Sequence, residues 1–294
     1  MTLEPLVRPL WALLLLLFFP LLLTSCEKPY LGDEVPSGTT TSGNLTVSVF
    51  QLEQTPFSDY TRTAPSEACT HLNYAIYNGD ERLKQINQTS DMADFGHVSF
   101  QLDAGTFQLV VVAHSSKGNP TMTAPTKIQF DNSDGYSDTF LYSEDVTVAS
   151  EPVNLSIALN RIVALCRFVI SDDYPQGVAK MQFKYTGGSG AFNAATGLGC
   201  VKSTQTVTYD VTSGQKQFDL YTFPYQGEEC TIHLTAMALD ASGVEITQRT
   251  FDIPLATNKV TWFTGDFFNG TPIQPTSLNL TIDTQWLPES HLTY

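Results

Sequence analysis

The stretch HVSFQLDAGTFQLVVVAH, residues 97–114, decides the fold class. Its first half alternates apolar and polar residues, putting Val98, Phe100 and Leu102 on one face, and TFQLVVVA follows after Asp103–Gly105. A period of two is the mark of a strand with one buried face. The Asp-Ala-Gly break between two such runs predicts a hairpin. The same alternation recurs in LTVSVFQL (Leu45, Val47, Val49), NLSIAL (Leu155, Ile157, Leu159), AKMQFKY (Met181, Phe183, Tyr185) and CTIHLTAMAL (Ile232, Leu234, Ala236, Ala238). Helical periodicity is weak and confined to residues 78–94, NGDERLKQINQTSDMAD. The expected class is all-β, with short strands closing into sandwiches or barrels.

Ahead of the first alternating run, an apolar segment extends from Leu10 to Leu23, interrupted by Pro20 and preceded by Arg8. It falls short of the roughly 20 residues that span a bilayer, so it reads as a secretory signal. The LTSC that ends it, residues 23–26, resembles the lipobox at which bacterial lipoprotein precursors are acylated on cysteine and cleaved just before it. Residues 1–25 are then a signal peptide and Cys26 the lipid-bearing first residue of the mature chain. Acyl chains contribute about 0.8 kcal/mol per buried methylene, so two or three of them hold a protein on its membrane. Residues 26–43 are rich in Pro, Gly, Ser and Thr and read as a solvated tether.

With 15 Lys and Arg against 30 Asp and Glu, the formal net charge is −15. Nucleic acid and direct attraction to anionic lipid headgroups both need a basic patch, so neither is expected. A polar stretch with Pro152, VASEPVNL, divides the remainder into an N-terminal sandwich over 44–152 and a C-terminal one over 153–269. The tail, residues 270–294, carries one further alternating segment, Leu278, Leu280 and Ile282, which needs a partner sheet.

Little in the sequence points to catalysis, and no cofactor or metal is expected. The five histidines form no HExxH pattern, GGSGA at 187–191 lacks the last glycine of a nucleophile elbow, and the cysteines show no zinc-like spacing. Cys166 reads as a small core residue, Cys69 carries no motif, and Cys200 and Cys230 pair if their strands meet. Asp131, Asp134 and Asp138 gather oxygen donors around Gly135 as a calcium loop would, but their spacing departs from the EF-hand and suits a polar turn.

Residues 154–199, with an apolar strand pair around Arg161 and Arg167 and a following P…V…M.F.Y.G strand, resemble the second domain of the fimbrillin superfamily of type V pili. LDAGTFQLVVVAH (102–114), SDTFLYSEDVTV (137–148) and IPLATNKVTWFTGDFF (253–268) extend the resemblance over nearly the whole mature chain. Within the superfamily the lipobox and length look most like the minor or anchor subunit. The resemblance implies two tandem transthyretin-like sandwiches, no active site, and assembly by strand exchange with other fimbrial subunits. It implies an outer-membrane, surface-exposed protein held by lipid on Cys26 and supporting adhesion to a host or bacterial receptor. The residues at stake are Leu45, Val47 and Val49 in the first strand, and Leu278, Leu280 and Ile282 as donor or self-completing strand. In this superfamily stalk precursors are trimmed after an arginine beyond the first strand. Arg62 stands where such a cut falls, or is a solvated loop arginine. A tip or stalk subunit is the nearest alternative. A surface lipoprotein that captures glycans is another, and it needs Trp262, Trp286 or several tyrosines on a flat exposed face.

Overall fold

The computed structural model describes residues 43–53, 69–131, 135–269, 279–281 and 287–294, with only the backbone of residues 53, 279–281 and 287–290. The first half contains β1 (Leu45–Glu53), β2 (His71–Asn78), β3 (Glu81–Thr89), β4 (His97–Phe100), β5 (Gly105–His114), β6 (Thr121–Ala124), β7 (Lys127–Gln129), β8 (Thr139–Val148) and β9 (Val153–Arg161). The second contains β10 (Ala164–Ile170), β11 (Lys180–Thr186), β12 (Gly188–Ser189), β13 (Ala191–Phe192), β14 (Gln205–Asp210), β15 (Gln217–Pro224), β16 (Glu229–Leu239), β17 (Glu245–Ala256) and β18 (Lys259–Gly265). The tail adds β19 (Asn279–Thr281) and β20 (Leu287–Thr293). No helix occurs among the described residues.

Seven strands form one sheet in the order β3-β2-β5-β8-β9-β1-β4. Only two residue pairs join β8 to β9, Phe140 with Arg161 and Leu141 with Asn160, so the sheet folds there into two layers. Their facing sides close on a core that includes Leu45, Val47, Leu72, Tyr74, Leu109, Val111, Phe140, Ile157 and Leu159. The second half repeats the plan: β14-β11-β16-β17 faces β15-β10-β18, extended by β20 and β19. Phe168, Phe183, Phe218, Ile232, Leu234 and Phe263 fill that core. Strand for strand, β4-β1-β9 corresponds to β15-β10-β18, and β3-β2-β5-β8 to β14-β11-β16-β17. In both, the first strand of the half runs parallel to its last.

Several expectations change. Residues 97–114 are two strands but not a hairpin: β4 pairs with β1, and β5 lies between β2 and β8. The turn at Asp103–Gly105 instead carries the chain from one layer to the other. The weak helical signal at 78–94 is occupied by β3, an edge strand with most of its side chains exposed, so no apolar alternation marks it. Strand β9, beyond the expected boundary at 152/153, completes the first sheet through eight residue pairs with β1. The chain crosses to the second core at Ile162–Val163.

The two sandwiches are continuous through a third core. The back face of β2 and β5 (Ala75, Tyr77, Val110, Val112) packs with Phe130, Phe192, Leu165, Phe223 and Val260. Burial on both faces explains why Val110, Val111 and Val112 break the alternation within β5. Beside this core the buried Arg161 guanidinium forms a bidentate ion pair with Asp138, both N···O distances 2.7 Å, and donates to Asn258 Oδ1 at 3.1 Å. That commitment of Asp138 to Arg161 leaves the suggested calcium loop without one of its donors. The glycine-rich GGSGA carries the short strand β12 and the start of β13.

Candidate strand-exchange sites

Strand β1 lies inside its sheet. Leu45–Ser48 pair antiparallel with His97–Phe100 of β4, while Leu45–Glu53 run parallel to Val153–Asn160 of β9, with a bulge between Val49 and Gln51. Leu45, Val47 and Leu52 are 0% exposed and Val49 4%, so the predicted inward face is the buried one. Fully burying a leucine or valine stabilises by about 1.5–3 kcal/mol, which makes β1 a large share of the first core. Its start is clamped by Asn44, whose Nδ2 donates to Leu102 O at 2.6 Å while its Oδ1 accepts from Leu102 N at 2.9 Å. Removing β1 would open an apolar slot between β4 and β9 with unpaired backbone groups on both walls.

The tail occupies a different place. β20 runs parallel to β18 and β19 pairs antiparallel with β20. The expected strand at Leu278, Leu280 and Ile282 corresponds to β19, in which Leu280 pairs with Ser290; Leu278 and Ile282 lie outside the described residues. The strand that docks is β20, which the sequence reading passed over. Leu292 and Tyr294 enter the second core, where the Tyr294 ring stacks on Phe263 (4.8 Å between centroids) and Phe168 (5.0 Å). Tyr294 N donates to Thr264 O at 2.9 Å, and its hydroxyl to Val169 O at 3.1 Å. Burial pushes the Tyr294 hydroxyl pKa up despite the Arg249 guanidinium 5.3 Å from its ring. Gly265 makes the approach possible, because a Cβ there would overlap the Tyr294 carbonyl oxygen.

Where the chain leaves β18, the Asp172 carboxylate accepts N–H bonds from Phe267, Phe268 and Asn269 at 2.8–2.9 Å. Burial raises its pKa, the three donors lower it further, and the net shift is downward. This clamp fixes the root of the tail, and no sequence motif announced it.

Cys26, Arg62 and Trp286 lie outside the described residues. Cys69 and Cys166 are buried, and Cys200, in the loop before β14, and Cys230, in β16, form no disulfide. Among the described residues no group of three or more His, Cys, Asp or Glu is placed to hold a metal, and no helix is long and apolar enough to cross a membrane. His114 is fully buried: Nε2 bonds Asn73 Oδ1 at 2.8 Å, Nδ1 accepts from Ser116 N at 3.1 Å, and the ring stacks on His71 at 4.9 Å. Burial first, and the neighbouring His71 second, push its pKa down to about 3.

Similar solved structures include a Bacteroides ovatus ATCC 8483 protein proposed to be an adhesin, at 14% identity and TM-score 0.45, covering 70% of this chain and 82% of that one. A fimbrial assembly protein from Parabacteroides distasonis ATCC 8503 has 12% identity and TM-score 0.41, covering 76% and 90%. The fimbrial anchor protein Mfa2 from Porphyromonas gingivalis has 12% identity and TM-score 0.38, covering 70% and 80%. Proteins of the kind the sequence resemblance names are thus among the similar structures, at similarities too low to carry a functional argument. None of the curated proteins compared with the chain matches it. A family model does match, over residues 38–292, and by it the chain belongs to the family of unknown function DUF6562.

Proposed function

We propose that this chain is a lipid-anchored minor subunit of a cell-surface fimbria, the anchor, which joins its neighbours by strand complementation and supports adhesion. The observation that carries the reading is the position of β1: a terminal strand held between two others, with its inward side chains buried. Such a strand seals an apolar slot while it stays, and leaves an acceptor for a neighbour's strand if it goes. An anchor keeps β1, because cutting after Arg62 severs Cys26 from both sandwiches. The sequence resemblance and the lipobox around Cys26 support the same reading. Trp262, by contrast, stacks on His291 with Arg167 over its ring at 4.9 Å, and no Trp or Tyr is among the large exposed apolar residues described. Among the described residues the glycan-capture alternative therefore finds no exposed Trp or Tyr face.

Replacing Cys26 tests the anchor role. In cells expressing Cys26→Ala, fibres should be shed into the medium and the chain should leave the membrane fraction. Fibres that stay attached, with the variant still resisting a carbonate wash, overturn the proposal.

A further inference from the structure

The repeated strand order exposes a difference between the two sandwiches. In the second, the outer edge of β18 is covered by β20. In the first, the equivalent edge of β9 bears no strand of the described residues over Val153–Ala158, since β8 pairs with β9 only at Asn160 and Arg161. The backbone directions agree between the halves. Val153 N donates to Asn44 O at 2.9 Å on the β1 side, so alternation turns the N–H and C=O groups of Asn154, Ser156 and Ala158 to the open side. Counting from the start of each strand, these match Val260, Trp262 and Thr264, and Thr264 O accepts the Tyr294 N–H from β20. No described residue pairs with Asn154, Ser156 or Ala158 on that side.

The open edge has an apolar lining. Val153, Leu155 and Tyr142 are half-buried at the rim of the first core, above the buried Ile157. Ile157 stands where Phe263 does in the second sandwich, where it pairs with Leu292 of β20. At the far end Leu159 replaces Gly265, and the pairing of Phe140 with Arg161 closes the gap.

We propose that the β9 edge from Val153 to Ala158 is a second strand-acceptor site, distinct from both the β1 slot and the tail's own dock. Its occupant is an extended segment of another protein chain, parallel to β9, with an apolar residue opposite Ile157 as Leu292 of β20 stands opposite Phe263. The inserted strand pairs with Asn154, Ser156 and Ala158, and covers Val153, Leu155 and Tyr142. It ends short of Leu159, because that side chain and the β8–β9 closure fill the place Tyr294 takes in the second sandwich. The proposal does not depend on the anchor role.

A synthetic peptide of residues 286–293, which stops before Tyr294, serves as probe on the mature chain, residues 26–294, with amide hydrogen exchange as readout. Exchange at Asn154, Ser156 and Ala158 should slow about tenfold at peptide concentrations near 1 mM. Ser156→Pro removes the central N–H on the open side while leaving the β1 side intact, and should abolish the protection; Ser156→Ala should retain it. Leu155→Lys, which charges the lining without touching the backbone, should weaken it. No slowing at these amides, slowing that survives Ser156→Pro and Leu155→Lys, or slowing confined to Val260–Thr264 through displacement of the chain's own tail, overturns the proposal.

Discussion

The first and second sandwiches share one strand order but treat their terminal strands in opposite ways. In the first, β1 is built into the interior of the sheet, between β4 and β9, and no described strand covers the edge of β9 over Val153–Ala158. In the second, the corresponding strand β10 follows β9 through Ile162 and Val163, and the added strand, β20, sits beside β18 where the first sandwich has no strand among the described residues. The contrast separates two functions of an added strand. One placed between neighbours completes a core, whereas one placed at a side covers an edge.

The largest effect expected from this contrast is in β1. Leu52→Ala leaves a cavity among fully buried side chains and should cost about 2–5 kcal/mol, read from the urea midpoint of the mature chain. A cost under about 0.5 kcal/mol would mean that β1 merely lies against the first core. Next comes the tail. Gly265→Ala collides with the Tyr294 carbonyl, so it should undock β20, cost about 1–3 kcal/mol, and raise amide exchange at Thr264 and Tyr294 while sparing β1. Unchanged protection of β20 would show that the tail is not seated through Gly265.

The last comparison is a pH slope, carried in the first sandwich by His114. His114 is held neutral, its pKa near 3 against about 6.5 in an unfolded chain. The unfolded state therefore binds the extra proton between those values. His114 contributes stability that is complete above pH about 6.5 and is lost as pH falls towards 3, by at most about 1.4 kcal/mol per pH unit. His71, stacked on it, also has its pKa lowered by burial, and Asn73, Ser116 and the edge of Phe130 are its other neighbours. Urea midpoints of His114→Gln between pH 7 and 4 should fall less steeply than those of the parent; parallel slopes would remove His114 as the cause.

The alternation of Leu45, Val47 and Val49, and of Met181, Phe183 and Tyr185, made the β class and many core faces legible in the sequence, because inward and outward side chains differ in polarity there. Pairing was not legible in the same way. β4 and β5 are adjacent in sequence yet bond to other strands, a choice made by long-range packing that no local turn signal encodes. β3 has too little buried surface to alternate, and β5 has too much. At the candidate sites, the inward face of β1 was readable, but β20 was not. Its sequence, LPESHLT, is largely polar and contains Pro288, and its place depends on Gly265, Leu292 and Tyr294 meeting across the second core. The Asp172 clamp was hidden because its three partners are backbone N–H groups about 95 residues further along the chain.

The central claim is that β1 stays with its lipid in the working protein, and the N-terminus of the chain recovered from assembled surface fibres tests it most directly. The account predicts a blocked, acylated Cys26 followed by an uncut chain through Arg62. A free N-terminal Thr63 would contradict it, because that chain has lost both its membrane attachment and the strand that fills its first sheet.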